Sequence, residues 1–68
     1  MFVSEDMKQR YLEKVHKEMH RRGFSYEEIP RVIAKTGFMT ALNQYPEEQL
    51  QYPIKAAVNE ILETAAKQ

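Results

Sequence analysis

An all-α fold, a small single-domain bundle of three main helices plus one short helix, is what this sequence predicts, and three observations carry that reading. Apolar residues recur at helical spacing in four separate segments, and no segment alternates with period two over a strand's length. Only two Gly and three Pro occur, too few for the many turns of a sandwich or barrel. Sixty-eight residues leave room for one domain, so 1–68 is read as a single unit with 1–4 and 67–68 frayed.

The first helix is expected near residues 5–22. Ser4 suits the N-cap, and Glu5 and Asp6 fill the first turn, where the helix dipole favours anions. Met7, Tyr11, Leu12, Val15 and Met19 share one face at about 100° per residue. Gly23 can take the left-handed conformation that ends a helix, with Phe24 as the closing apolar contact. Ser25-Tyr26-Glu27-Glu28 is a capping box, so the second helix is expected over 26–36, ending at Gly37. Pro30 conflicts with it, because its ring presses on the Tyr26 carbonyl. Either the first turn is distorted or regular helix starts at Pro30. Ile29, Val32, Ile33 and Thr36 line one side of this helix, with Glu27, Arg31 and Lys35 as an i, i+4 ladder on the other.

Phe38, Ala41, Leu42 and Tyr45 give the short helix, 38–45, which stops before Pro46. Residues 46–51 suit one or two further turns, with Pro46 at the first position. Pro53 suits the first position of the last helix, 53–66, which carries Ile54, Ala57, Val58, Ile61, Leu62 and Ala65 on one face and Lys55, Asn59, Glu60 and Glu63 opposite. The expected core is Leu12, Val15, Met19, Phe24, Ile29, Val32, Ile33, Phe38, Leu42, Ile54, Val58, Ile61 and Leu62. A core of this size supplies roughly 3–5 kcal/mol, and self-association is one way for such a chain to gain more.

Ten Lys+Arg balance ten Asp+Glu, which argues against a strongly basic nucleic-acid binder and against an acidic tail. With no Cys there is no disulfide, no thiolate metal site and no thiol nucleophile. No apolar run reaches the length of a membrane span, and the N-terminal residues do not read as a signal peptide, so a cytoplasmic location and no membrane partner are expected.

The chemistry-bearing residues favour binding over catalysis. His16 and His20 are four apart on one helix side, but Lys17 follows the first and Met19 precedes the second, so neither zinc-protease pattern is met. Glu5-Asp6, Glu27-Glu28 and Glu47-Glu48 sit at helix starts, which accounts for them without acid–base roles. No phosphate loop or dinucleotide fingerprint occurs. The chain is therefore expected to be no enzyme and to carry no catalytic residue, cofactor or metal.

Charge is unevenly placed. Arg10, Lys14, Lys17 and Arg21 form a basic ridge at i, i+4, i+7 and i+11, beside expected Glu13–Lys17 and Glu18–Arg22 pairs. Such a ridge suits phosphates or an acidic protein surface. A helix-turn-helix reading would offer Met39, Thr40, Asn43 and Gln44 to bases, yet no Lys or Arg occurs between Lys35 and Lys55 to hold phosphates. The leading expectation is a protein–protein interaction or regulatory module whose partner is another protein or a second copy. Its docking segment is Tyr45 to Pro53, with Tyr45, Leu50 and Tyr52 as apolar anchors and Glu47 and Glu48 as an acidic rim. The alternative is nucleic-acid binding through the basic ridge or a degenerate helix-turn-helix.

Overall fold

The computed structural model describes residues 5–67, the side chains of residues 47 and 49 excepted; Phe2 and the expected cap Ser4 lie outside the described residues. Helix α1 (Glu5–Arg21) ends in a pair of backbone bonds made possible by Gly23 at φ +105°. The Gly23 N–H donates to the His20 carbonyl at 3.0 Å and the Phe24 N–H to the Met19 carbonyl at 3.2 Å. That is the Schellman arrangement, and it turns Phe24 back onto the core.

Helix α2 (Glu28–Thr36) starts two residues later than expected. The capping box does form: Ser25 Oγ accepts from the Glu28 N–H, and Glu28 Oε1 accepts from the Ser25 N–H, both at 3.2 Å. Pro30 has no N–H to give the Tyr26 carbonyl, so Tyr26 and Glu27 form a turn and the helix takes the distorted-start option. Gly37 at φ +71° closes α2 and opens α3 (Phe38–Asn43). Helix α3 ends two residues short of Tyr45, because a residue before proline is driven out of the α region. Its last turn tightens instead, with the Gln44 N–H on Ala41 O and the Tyr45 N–H on Leu42 O. A 3-10 helix spans Glu47–Gln51, and α4 follows at Ile54–Ala66. Pro53 was expected inside α4, but its ψ of 133° is extended, so it stands as the N-cap.

The described residues thus form an all-α bundle without strands, and none of its helices is long and apolar enough to cross a membrane. Helix α4 packs against both α1 and α2, α3 packs on α2, and the 3-10 helix lies on α1. The buried cluster is Tyr11, Val15, Met19, Ile29, Ile33, Phe38, Leu42, Ala57, Val58 and Ile61. Leu12, Phe24, Val32, Ile54 and Leu62, expected in the core, are only half-buried at its edge. On α1 the buried stripe is Tyr11–Val15–Met19 at i, i+4, i+8, centred on Val15, and Leu12 lies about 60° round from that centre, at the stripe's margin.

One polar strut ties the end of α1 to α4. The Arg22 guanidinium donates to Glu18 Oε2 at 2.8 Å, to Asn59 Oδ1 at 2.6 Å and to the Lys55 carbonyl at 3.3 Å. Arg21 adds two bonds to the same Glu18 carboxylate, at 3.0 and 2.7 Å. These guanidiniums, Arg21 first and then Arg22, lower the Glu18 pKa from 4.5 to about 2. The carboxylate's contribution to stability is therefore present above pH 4.5 and lost as the pH falls towards 2.

Two outcomes check this fold. Met19 is the largest fully buried side chain, so Met19→Ala, costing about 2–5 kcal/mol against a similarly small total, should abolish the cooperative thermal transition. In acid titrations followed by circular dichroism, Glu18→Gln should flatten the fall in melting temperature between pH 4.5 and 2.

Candidate functional site

An aromatic row crosses the molecule from α1 to the segment after α3. Tyr11 and Phe38 lie nearly parallel, with centroids 6.4 Å apart and planes 18° apart. Tyr45 meets Phe38 edge-on at 6.3 Å and 87°. Beside this row α4 presents the small Ala57, and a cleft of about 280 Å³ opens there, lined by Tyr11, Tyr45, Tyr52, Ala57 and Glu60. A second cleft of about 160 Å³ continues along Phe38, Tyr45, Ala57 and Glu60 to Thr36 and Thr64.

Three phenols and one carboxylate thus share a small space. Tyr11 is only 4% exposed, yet no buried side-chain oxygen lacks a hydrogen-bond partner among the described residues and none is recorded for its hydroxyl. Its hydroxyl therefore opens onto the cleft. Burial first, then the charges of Tyr45, Glu60 and Tyr52, pushes the Tyr11 pKa up from 10.0. Burial first, then Glu60 and Tyr52, does the same for Tyr45. Both phenols are protonated at neutral pH, able to donate or accept hydrogen bonds but poor as bases or nucleophiles.

The structure separates the predicted docking residues. Tyr45 is a half-buried lid on the core, and Leu50 is packed against the same core. Tyr52 stands 47% exposed at the rim of the cleft, and Glu48 is exposed. The Glu47 side chain lies outside the described residues. Sequence reasoning missed Tyr11, Ala57 and Glu60 as site residues. The available signal was Tyr11 sharing a helix face with Val15, and Glu60 lying one step from Ile61 at the margin of the apolar stripe of α4.

The basic ridge is exposed, but each of its ends carries a carboxylate. Arg10 pairs with Asp6 at 3.1 Å and Arg21 with Glu18 at 2.7 Å. Glu18–Arg22 forms as expected, at 2.8 Å, whereas no Glu13–Lys17 pair is made among the described residues. Lys14 and Lys17 are exposed and hold no ion pair there. A third cleft, of about 180 Å³, runs between Met7, Arg10, Tyr11, Lys14 and Leu50, so Tyr11 borders both a basic cleft and the Glu60 cleft.

Neither histidine lines any of these three clefts. His20 donates its Nδ1–H to the Phe24 carbonyl at 3.0 Å and stacks on Tyr26 at 4.0 Å. His16 is half-buried. No group of three His, Asp or Glu side chains among the described residues stands close enough to share a metal ion. Met39, Thr40, Asn43 and Gln44 are exposed around α3. No protein-family model, curated protein or solved structure matches the chain.

The two predicted anchors should respond differently. Tyr45→Ser removes a lid and should lower the melting temperature by several degrees, since about 1 kcal/mol shifts a domain this small by roughly 4–8 °C. Tyr52→Ser is an exposed change and should cost under about 0.5 kcal/mol. In an alkaline titration read by tyrosine absorbance, Glu60→Gln should bring the Tyr45 and Tyr11 phenols back towards 10.0, because one of the charges raising them is gone.

Proposed function

We propose that this chain is a protein–protein interaction module, acting by association and not by catalysis, and that its partner docks on the face formed by the Tyr45–Pro53 segment with the flanks of α1 and α4. The observation that carries the reading is Tyr52, an exposed aromatic at the rim of a cleft floored by Tyr11, Tyr45 and Ala57. Tyrosine buries a large area at little entropic cost and brings a hydroxyl that satisfies polar partners. Glu48 is exposed in the same segment and adds negative charge to it.

Size and chemistry support binding over turnover. About 280 Å³ lies below the roughly 300–1,000 Å³ usual for small-molecule sites. The ionisable lining is the Glu60 carboxylate and tyrosine phenols, and burial raises the pKa of two of these, Tyr11 and Tyr45, and keeps them protonated. A cytoplasmic setting belongs to the same proposal, since a cysteine-free chain needs no oxidising compartment.

Nucleic-acid binding through the ridge is the weaker reading, because Asp6 and Glu18 already occupy Arg10 and Arg21. Two uncommitted lysines would release few counterions, for a salt slope of only about −2 on a duplex. The test uses tagged wild-type and Tyr52→Ser protein as paired baits in a nuclease-treated extract. Proteins or further copies of the chain recovered by the wild type and lost with Tyr52→Ser are expected. Equal recovery by both baits, or recovery abolished by nuclease, overturns the reading.

A further inference from the structure

The docking face carries both signs of charge, in two clefts that share Tyr11 as a lining residue. Lys14 lines the cleft that also holds Met7 and Leu50. Glu60 lines the cleft closed by Tyr45 and Tyr52. Neither charge is committed: among the described residues no ion pair or hydrogen bond is recorded for Lys14 or for Glu60. The hydroxyls of Tyr11, Tyr45 and Tyr52 likewise have no recorded hydrogen-bond partner within the described chain. A carboxylate flanked by phenol oxygens is a receptor for an N–H-rich cation such as a lysine ammonium.

A face with a cation in one cleft and a cation receptor in the adjoining cleft offers both halves of a self-complementary contact. A two-fold axis placed between the two clefts would pair each Lys14 with the other copy's Glu60, which is how a two-fold interface matches residue i with j and j with i. Resting on the interaction reading above, we infer that the partner is a second copy of this chain, and that in the two-fold dimer each Lys14 ammonium enters the Tyr11–Tyr45–Tyr52–Glu60 cleft of the other copy.

Three further features favour a second copy over an unrelated basic protein. The formal net charge is zero, so two copies approach without net repulsion. Met7 and Tyr52, two of the four large apolar side chains exposed among the described residues, border the two clefts and would be covered together. A core this small leaves stability to be gained from association.

The test is a charge-reversal cycle read by sedimentation equilibrium from micromolar to millimolar chain. Wild type should self-associate to a dimer and no further. Lys14→Glu and Glu60→Lys should each raise the dimer dissociation constant by about tenfold or more, since each puts two like-charge contacts into one interface. The double variant, with the pair restored in reverse order, should return to within a few-fold of wild type. Circular dichroism of each variant verifies the fold, and Lys14→Gln and Glu60→Gln provide milder versions should a reversal disturb it. A wild type that stays monomeric at millimolar concentration overturns the inference. So does a double variant as dissociated as the singles. A dimer broken by Tyr52→Ser but indifferent to the charge cycle also overturns the Lys14–Glu60 pairing, while leaving the interaction face itself standing. A monomer whose nuclease-resistant capture of other proteins depends on Tyr52 separates the two readings the same way.

Discussion

Helix α4 is the element on which the other helices depend, because it packs against both α1 and α2. A helix in so short a chain buries one stripe only, and the stripe of α4 is Ala57, Val58 and Ile61. Val58 is fully buried in the same cluster as Val15, Met19, Ile29 and Ile33. The Arg22 strut to Asn59 and the Lys55 carbonyl adds direction to apolar packing that is otherwise non-directional. The clefts follow from the same placement. Where the stripe carries Ala57 in place of a large side chain, Tyr11, Tyr45 and Phe38 gather around space that α4 does not fill.

Much of this architecture was legible from local rules. Gly23 followed by Phe24 announced the close of α1, and Ser25 with Glu28 announced the capping box, because both motifs depend on backbone groups within a few residues. Pro30 marked the distortion at the start of α2 for the same reason. Helix limits were less legible where two local rules compete. The apolar spacing carried the short helix to Tyr45, whereas Pro46 ended it at Asn43.

What was not legible is what depends on the third dimension. Periodicity placed Tyr11 and Leu12 on one face, but the position of α4 decides that Tyr11 lies inside and Leu12 at the edge. Arg22 read as a partner for Glu18, and its reach to Asn59 spans 37 positions that no spacing rule connects. Within the expected docking segment, exposure was not legible either. Tyr45, Leu50 and Tyr52 follow one another in sequence, yet the first two are folded against the core and only Tyr52 is left open. Glu60 read as outer-face polarity because nothing in α4 alone reveals that Tyr45 and Tyr52 return beside it.

The distribution of charge completes the connection between stability and the exposed face. At the start of α1, Asp6 holds Arg10, and at its end Glu18 holds Arg21 and Arg22. Both sets are near-neighbour pairs along one helix, and the set at the C-terminal end extends through Arg22 to α4. The structure therefore spends its recorded long-range polar bonds at one end of the bundle. Midway along α1 stands Lys14, lining one of the two clefts that share Tyr11, while Glu60 lines the other, and neither has a recorded ion pair within the described chain. A charge left unpaired in open water costs little, so folding exerts no pressure to place a lysine and a glutamate in adjoining clefts. Their separation by clefts instead of direct pairing keeps both available to an incoming surface. The strut residues Glu18, Arg22, Lys55 and Asn59 line none of the tyrosine clefts, so a partner of the proposed kind can engage Tyr52 and its neighbours without breaking the polar contacts that hold α1 to α4.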